Sequence, residues 1–127
     1  MVVLDTNIII DHLRQPSNDS ILSELSKKFS GEEMGISVIS IQELYEGKST
    51  INPTKESQMM AVISQLVVLP YDVDVARLAG KIVRDSKIII DLADAAIAAT
   101  AITHEGELYT LNTKHFQNIT HLKLFQT

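Results

Sequence analysis

Strand-length apolar runs alternating with helix-length amphipathic stretches predict an α/β fold, with about five strands in a mainly parallel sheet flanked by helices. Two further observations narrow this. The chain has 127 residues, enough for one compact domain with a real core. It also shows no internal repeat, linker or low-complexity segment, so residues 1–127 read as a single domain.

Val2-Val3-Leu4 is too short for a helix and is ended by the polar triplet Asp5-Thr6-Asn7, so it reads as a first strand. Ile8 to Ile10 and Leu13 continue into a helix that Pro16 ends. Between Asp19 and Phe29, the residues Ile21, Leu22, Leu25 and Phe29 share one helical face. Gly31 and Gly35 punctuate a loop, and Ile36-Ser37-Val38 is a second strand. A helix is expected from Ser40 to near Gly47. Asn52-Pro53 has the cap-then-proline order of a helix start, with Met59, Met60, Ile63 and Leu66 as its buried stripe. Val67-Val68-Leu69 is a third strand, stopped by Pro70. Asp72 or Asp74 can cap a helix carrying Val75, Leu78, Ala79, Ile82 and Val83. A last helix starts near Asp91 and runs through Ala95 to Ala101, with Gly106 beyond its end. Leu108 to Leu111 is a fourth strand and Leu122 to Phe125 a fifth.

Composition excludes several classes. There is no cysteine, hence neither a disulfide framework nor a thiolate metal site. No apolar run approaches membrane-spanning length, and Met1 to Asp5 lacks the basic and apolar regions of a signal peptide; the expectation is a cytoplasmic protein. The net charge of −5 argues against nucleic-acid binding through diffuse basic charge, unless some of the acids form a metal site whose ions offset them.

Ligands of open parallel sheets collect at the carboxyl ends of the strands. Asp5-Thr6-Asn7 and Asn112-Thr113-Lys114 follow the first and fourth strands there. Asp5 lies between apolar groups, where a carboxylate is costly unless paired, although it could equally cap the helix that follows. Glu43 stands three residues after Ser40, the spacing of a capping box. Asp91 and Asp94 at the start of the alanine-rich helix have a cap and first-turn reading of their own. Four acids at element starts facing one edge are harder to explain as independent caps. A carboxylate cluster without a matching basic group suits a hard cation such as Mg²⁺ or Mn²⁺. His12, His104, His115 and His121 have no paired ligand spacing and read as ordinary histidines. No glycine-rich phosphate loop is present, and Asp5 has no second acid two residues on, against a phosphatase with an aspartyl nucleophile.

Four segments occur in order: Leu4-Asp5-Thr6-Asn7, Ser37-Val38-Ile39-Ser40-Ile41-Gln42-Glu43-Leu44, Asp94-Ala95-Ala96-Ile97-Ala98-Ala99-Thr100-Ala101, and Thr110-Leu111-Asn112 followed by Phe116. Together they resemble the PIN-domain proteins, most closely the toxin half of VapBC-type toxin–antitoxin pairs. The resemblance implies a five-stranded parallel sheet and a Mg²⁺- or Mn²⁺-dependent endoribonuclease. It places the catalytic, metal-holding carboxylates on Asp5, Glu43 and Asp94. Where the family often has a further aspartate, this chain has His115, with Asn112 nearby, so Asp91 is a candidate for the missing ligand. Thr6, Asn7, Thr110 and Asn112 are the supporting polar residues, and Arg14, Lys48 and Lys114 the candidate RNA-backbone contacts. The implied partners are an antitoxin that blocks the acidic pocket and a second copy of the chain. The alternatives are a non-catalytic PIN-like scaffold, and a metal-dependent phosphatase or DNA nuclease using the same pocket.

Overall fold

The computed structural model describes residues 1–15 and 19–127. Its five strands are β1 (Val2–Leu4), β2 (Met34–Ser37), β3 (Val67–Leu69), β4 (Glu107–Tyr109) and β5 (Lys123–Leu124). They form one parallel sheet in the order β3-β2-β1-β4-β5, with Leu4 beside Ile36 on one side and Tyr109 on the other. The helices are α1 (Thr6–Arg14), α2 (Ile21–Lys28), α3 (Val38–Glu46), α4 (Pro53–Ile63), α5 (Val73–Asp85) and α6 (Leu92–Thr103). None of them is long and apolar enough to cross a membrane among the described residues. Successive strands step outward from β1 in one direction and then, from β4, in the other. The switch therefore falls between β1 and β4, the place where the diverging connections of an open parallel sheet generally leave a crevice at the strands' carboxyl ends.

Alternation along β1 divides the core. Val2 and Leu4 face one side, with Ile8, Ile9, Leu22, Ile36, Leu44 and Met59. Val3 faces the other, with Val75, Ala79, Ala95, Leu108 and Phe116. Helix α6 is buried from Ala95 to Ala101. Its alanines let it lie close to α5 and the sheet, and an enlarged side chain there would overpack the core at about 1–3 kcal/mol. After α6 the chain turns through Glu105, which takes the left-handed conformation (φ 55°), and not through Gly106. Gly106 is needed for close approach instead: a Cβ there would sit 3.1 Å from Val3 Cγ2 and 3.2 Å from the Met1 carbonyl oxygen.

Several expectations need correction. Val38 opens α3 instead of extending β2, and the helix is capped by Ser37, whose Oγ accepts from the Ile39 amide at 3.2 Å. The strand runs straight into the helix, so the cap falls three residues earlier than Ser40. The Ser40–Glu43 capping box does not form. Of the stripe assigned to α4, Met59 and Ile63 are buried but Met60 is exposed. On α5, Val83 is exposed as well. Strand β4 stops at Tyr109, leaving Thr110 and Leu111 to turn across the sheet's end. The caps on α4 (Asn52), α5 (Asp72) and α6 (Asp91) are as expected. Helix α1 is described only to its cap at Gln15, so the stop assigned to Pro16 lies outside the described residues.

Candidate active site

The crevice between β1 and β4 is built from strand ends. Asp5 leaves β1 and caps α1, with only 5% of its surface exposed. One carboxylate oxygen accepts from the Thr6 amide at 2.8 Å, and the other from the Thr110 hydroxyl at 2.7 Å. The two readings of this residue, cap and buried pocket acid, therefore hold together. Thr110 itself accepts from the Asn112 amide at 3.0 Å and from Asn7 Nδ2 at 3.5 Å. Asn7 Oδ1 accepts from the Leu111 amide at 3.3 Å. These bonds stitch the ends of β1 and β4 together around the Asp5 carboxylate.

Glu43 comes in from α3. Freed from capping, it turns inward, and its Oε1 lies 2.6 Å from Thr6 Oγ1, which is also 2.9 Å from Ser40 Oγ. Thr6 has one hydroxyl proton; the carboxylate takes it, and the Ser40 hydroxyl donates in turn to Thr6. Thr6 is thus a holder of Glu43, a role its position beside Asp5 did not disclose. Ser40 was visible in the sequence, but its spacing pointed to the wrong partner.

Asp94 comes from the first turn of α6. Its amide donates to Asp91 Oδ1 at 2.8 Å, so Asp91 is the cap of that helix, exposed and half-committed to it. On the pocket side, Asp94 Oδ2 lies 3.2 Å from His115 Nδ1; the two side chains are 20% and 58% exposed. His115 stands on the 3₁₀ turn Thr113–His115 that follows β4. It is largely exposed and faces Asp94. The other histidines are elsewhere: His12 Nδ1 meets Ser20 Oγ at 2.6 Å between α1 and α2, His104 ends α6, and His121 takes the left-handed conformation (φ 69°) before β5.

The carboxylates bear the mark of crowding. Burial pushes the Asp5 carboxyl above its ordinary range against the pull of its hydrogen bonds, and the charge of Asp91 adds to the rise. Glu43 is raised by burial and by the charges of Asp5 and Asp91, with Thr6 opposing. Asp94 is raised to about 6, by burial first and then by Asp91 and Asp5, with His115 opposing. The opposing charge at Asp5 and Asp94 is that of His115.

That donor set suits a hard divalent cation in chemistry, being carboxylates and hydroxyls. Even so, among the described residues no three Asp, Glu or His side chains stand close enough to hold one ion together. Each acid is turned to a protein donor: Asp5 to Thr110, Glu43 to Thr6, Asp94 to His115. The Asn112 side chain makes no capping bond and is exposed. Arg14 and Lys48 line a groove of about 380 Å³ with Glu43, and Lys55, overlooked in the sequence, joins them; Lys114 lies apart from it, next to His115.

The PIN domain family model matches residues 2–122. The chain is 35% identical over 120 residues to "Ribonuclease VapC19" of Mycobacterium tuberculosis, covering 91% of this chain and 92% of that one. It is 31% identical over 122 residues to "Ribonuclease VapC1" of Methanocaldococcus jannaschii, covering 93% and 80%. Among solved structures, the DNA-bound VapBC from Salmonella typhimurium superposes with a TM-score of 0.83 at 26% identity, covering 98% and 96%. The sheet order, the position of the acidic crevice and these relatives agree: the chain belongs to the PIN-domain family.

Proposed function

We propose that this protein is a metal-dependent endoribonuclease and the toxin of a toxin–antitoxin pair. The observation that carries this is that Asp5, at the β1/β4 switch point, raises the carboxyl groups of both Glu43 and Asp94 through its charge, in a chain with ribonucleases for relatives. Asp5 and Asp94 would hold Mg²⁺ or Mn²⁺, with Glu43 as a further ligand or as the base. When bound, the ion would supply positive charge to offset the negative charge developing on the scissile phosphate and would make water easier to deprotonate.

The chain's own residues do the rest. Glu43, raised by burial and by its neighbours' charges, takes the proton of the attacking water more readily than an ordinary glutamate. The water oxygen bonds to phosphorus as the phosphorus–oxygen bond to the leaving ribose breaks, and the departing ribose oxygen takes up a proton from solvent. Thr6 keeps the Glu43 carboxylate aimed by donating to it, and Thr110 does the same for Asp5. Asn112, exposed at the rim, is placed to meet phosphate oxygens, as are Arg14, Lys48 and Lys55 along the groove and Lys114 beside His115. The partner is an antitoxin that covers the acidic pocket with a positive group, and a second copy of the chain completes a homodimer. VapBC complexes among the structural relatives support that assignment.

One observation favours a second reading, the non-catalytic scaffold: the absence among the described residues of three groups near enough to share an ion. The deciding experiment titrates Mg²⁺ and Mn²⁺ into the native protein and follows cleavage of RNA and DNA substrates side by side. Metal-dependent RNA cleavage that disappears in Asp5→Asn supports the nuclease. Faster cleavage of DNA points to the DNA nuclease instead, and metal binding without cleavage of either points to the scaffold.

A further inference from the structure

Resting on the role given to Glu43 above, we propose that Thr100 is a positioning residue for the reaction: its buried hydroxyl fixes the start of α3 and, through α3, the Glu43 carboxylate. Helix α6, which carries Asp94, then also governs where Glu43 stands.

The first argument is placement along α3. Ser37, Ser40 and Glu43 follow one another at three-residue spacing, which brings them to one side of the helix. Each is tied to another helix. Glu43 and Ser40 meet Thr6 Oγ1, at the start of α1, at 2.6 and 2.9 Å. Ser37 meets Thr100 in α6, with 3.4 Å between the hydroxyl oxygens. Ser37, Ser40 and Thr100 are all fully buried. Helix α3 is therefore held between α1 and α6 by hydroxyl contacts.

The second argument is the direction of the protons. Thr100 has one hydroxyl proton, and the Ala96 carbonyl oxygen takes it at 2.7 Å within α6. Toward Ser37 it can only accept, so the Ser37 hydroxyl donates. Ser37 Oγ in turn accepts from the Ile39 amide at 3.2 Å, the bond that caps α3. Among the described residues no buried side-chain oxygen or nitrogen lacks a partner. Take away the Thr100 hydroxyl and the Ser37 proton faces a methyl group in a dry place. Ser37 must then turn, and the start of α3 with it.

The third argument is what the residue costs. Ala95 to Ala101 are buried, so a hydroxyl among them gives up its water. A threonine's bond to the carbonyl four residues back does not repair this, since it tends to weaken and bend a helix. Core packing thus gives little reason for a hydroxyl at position 100, whereas the cap of α3 uses one.

The test separates aiming from folding. RNA cleavage with saturating Mn²⁺ is measured for the native protein, Thr100→Val, Thr100→Ser, Ser37→Ala and the double variant Ser37→Ala/Thr100→Val, at a temperature well below every melt. Thr100→Ala repeats the comparison where the valine does not fit. Backbone amide exchange of the metal-free proteins is followed alongside. Expected is a kcat at least about tenfold lower in Thr100→Val with KM little changed, because a misaimed group far from the contacts that bind RNA slows the chemical step. Thr100→Ser should restore it, and adding Thr100→Val to Ser37→Ala should cost nothing further. Amides in the first two turns of α3 should exchange several-fold faster in Thr100→Val relative to those of β1, and at the native rate in Thr100→Ser. The inference is overturned by an unchanged kcat in Thr100→Val, by an equal loss in Thr100→Ser, by losses that simply add in the double variant, or by α3 amides that exchange as in the native chain. A native protein that cleaves no RNA with metal present sinks the nuclease reading instead, and amide exchange then still decides whether Thr100 holds α3.

Discussion

The two halves of the crevice hold their acids in different ways. On the β1 side, Asp5 is buried, takes hydrogen bonds on both oxygens, and sits in a mesh of Thr6, Asn7 and Thr110. On the α6 side, Asp94 is partly open and faces an exposed imidazole. The first is a position, set by backbone and packing before any ligand arrives. The second is a charge that its surroundings can still adjust. A groove of about 630 Å³, lined by Leu22, Ser26, Lys27, Glu33, Met34 and Gln65, shows the contrast from another side. It exceeds in volume the groove beside Glu43, yet none of Asp5, Glu43 and Asp94 lines it. Charge convergence, and not room, marks the chemistry here.

The contrast predicts its largest effect at Asp5. Asp5→Asn keeps the cap and the shape but removes the fixed charge. RNA cleavage should fall by more than the ~10–100-fold that loss of an outer-sphere partner costs, with the thermal melt of the variant showing an intact fold. Unchanged turnover with excess metal would break the distinction. Next comes Thr6→Val, which removes the donor to Glu43 at similar volume. Cleavage should fall by about 10–100-fold with little change in metal affinity, because Thr6 aims Glu43 and leaves Asp5 and Asp94 as they are. A parallel loss of metal binding would reassign Thr6 to the cation site.

On the open side the expected effect is on stability. In the metal-free protein Asp94 is raised from 3.8 to about 6, so folding favours its protonated form. The linked stability is fully present below pH 3.8 and is lost as the pH rises through about 6. Asp94→Asn should therefore stabilise the metal-free protein at neutral pH, by at most about 3 kcal/mol, and flatten the pH dependence across that window. Added Mn²⁺ should raise the melting temperature of the native protein more than that of the variant. A variant less stable than the native chain at pH 7 without metal would mean that the pairing of Asp94 with His115 outweighs the crowding. Smallest of all is Lys114→Ala at the exposed rim. It should weaken RNA binding a few-fold at low salt and make no difference at high salt, which a salt titration of binding would show.

Much of this molecule was legible from local pattern. The strands and helices appear where apolar periodicity placed them, because each needs only its own residues to define a buried face. The errors cluster at the junctions. Ser37 and Ser40 are both good caps, and no local rule says which one the helix uses when a strand runs directly into it. Met60 lies on a plausible apolar stripe but ends up on the wrong side of α4, since the neighbours decide which arc is covered. At the site, Asp5, Glu43 and Asp94 were named from position and resemblance, whereas the tie between Asp94 and His115 joins residues 21 positions apart on separate elements. Thr6 and Glu43 are 37 apart.

What the sequence determined by itself was therefore the inventory: which segments become strands or helices, which acids stand at their ends, and that no thiolate or phosphate loop competes with them. Periodicity and capping act over a few residues, and so they are written locally. The tertiary structure alone decided which of those acids share a crevice and how each is held. It turned Glu43 inward to Thr6, left Asp91 as a cap, and brought His115 to Asp94. Burial and Coulomb interaction set those outcomes, and both depend on distance through the fold and not along the chain.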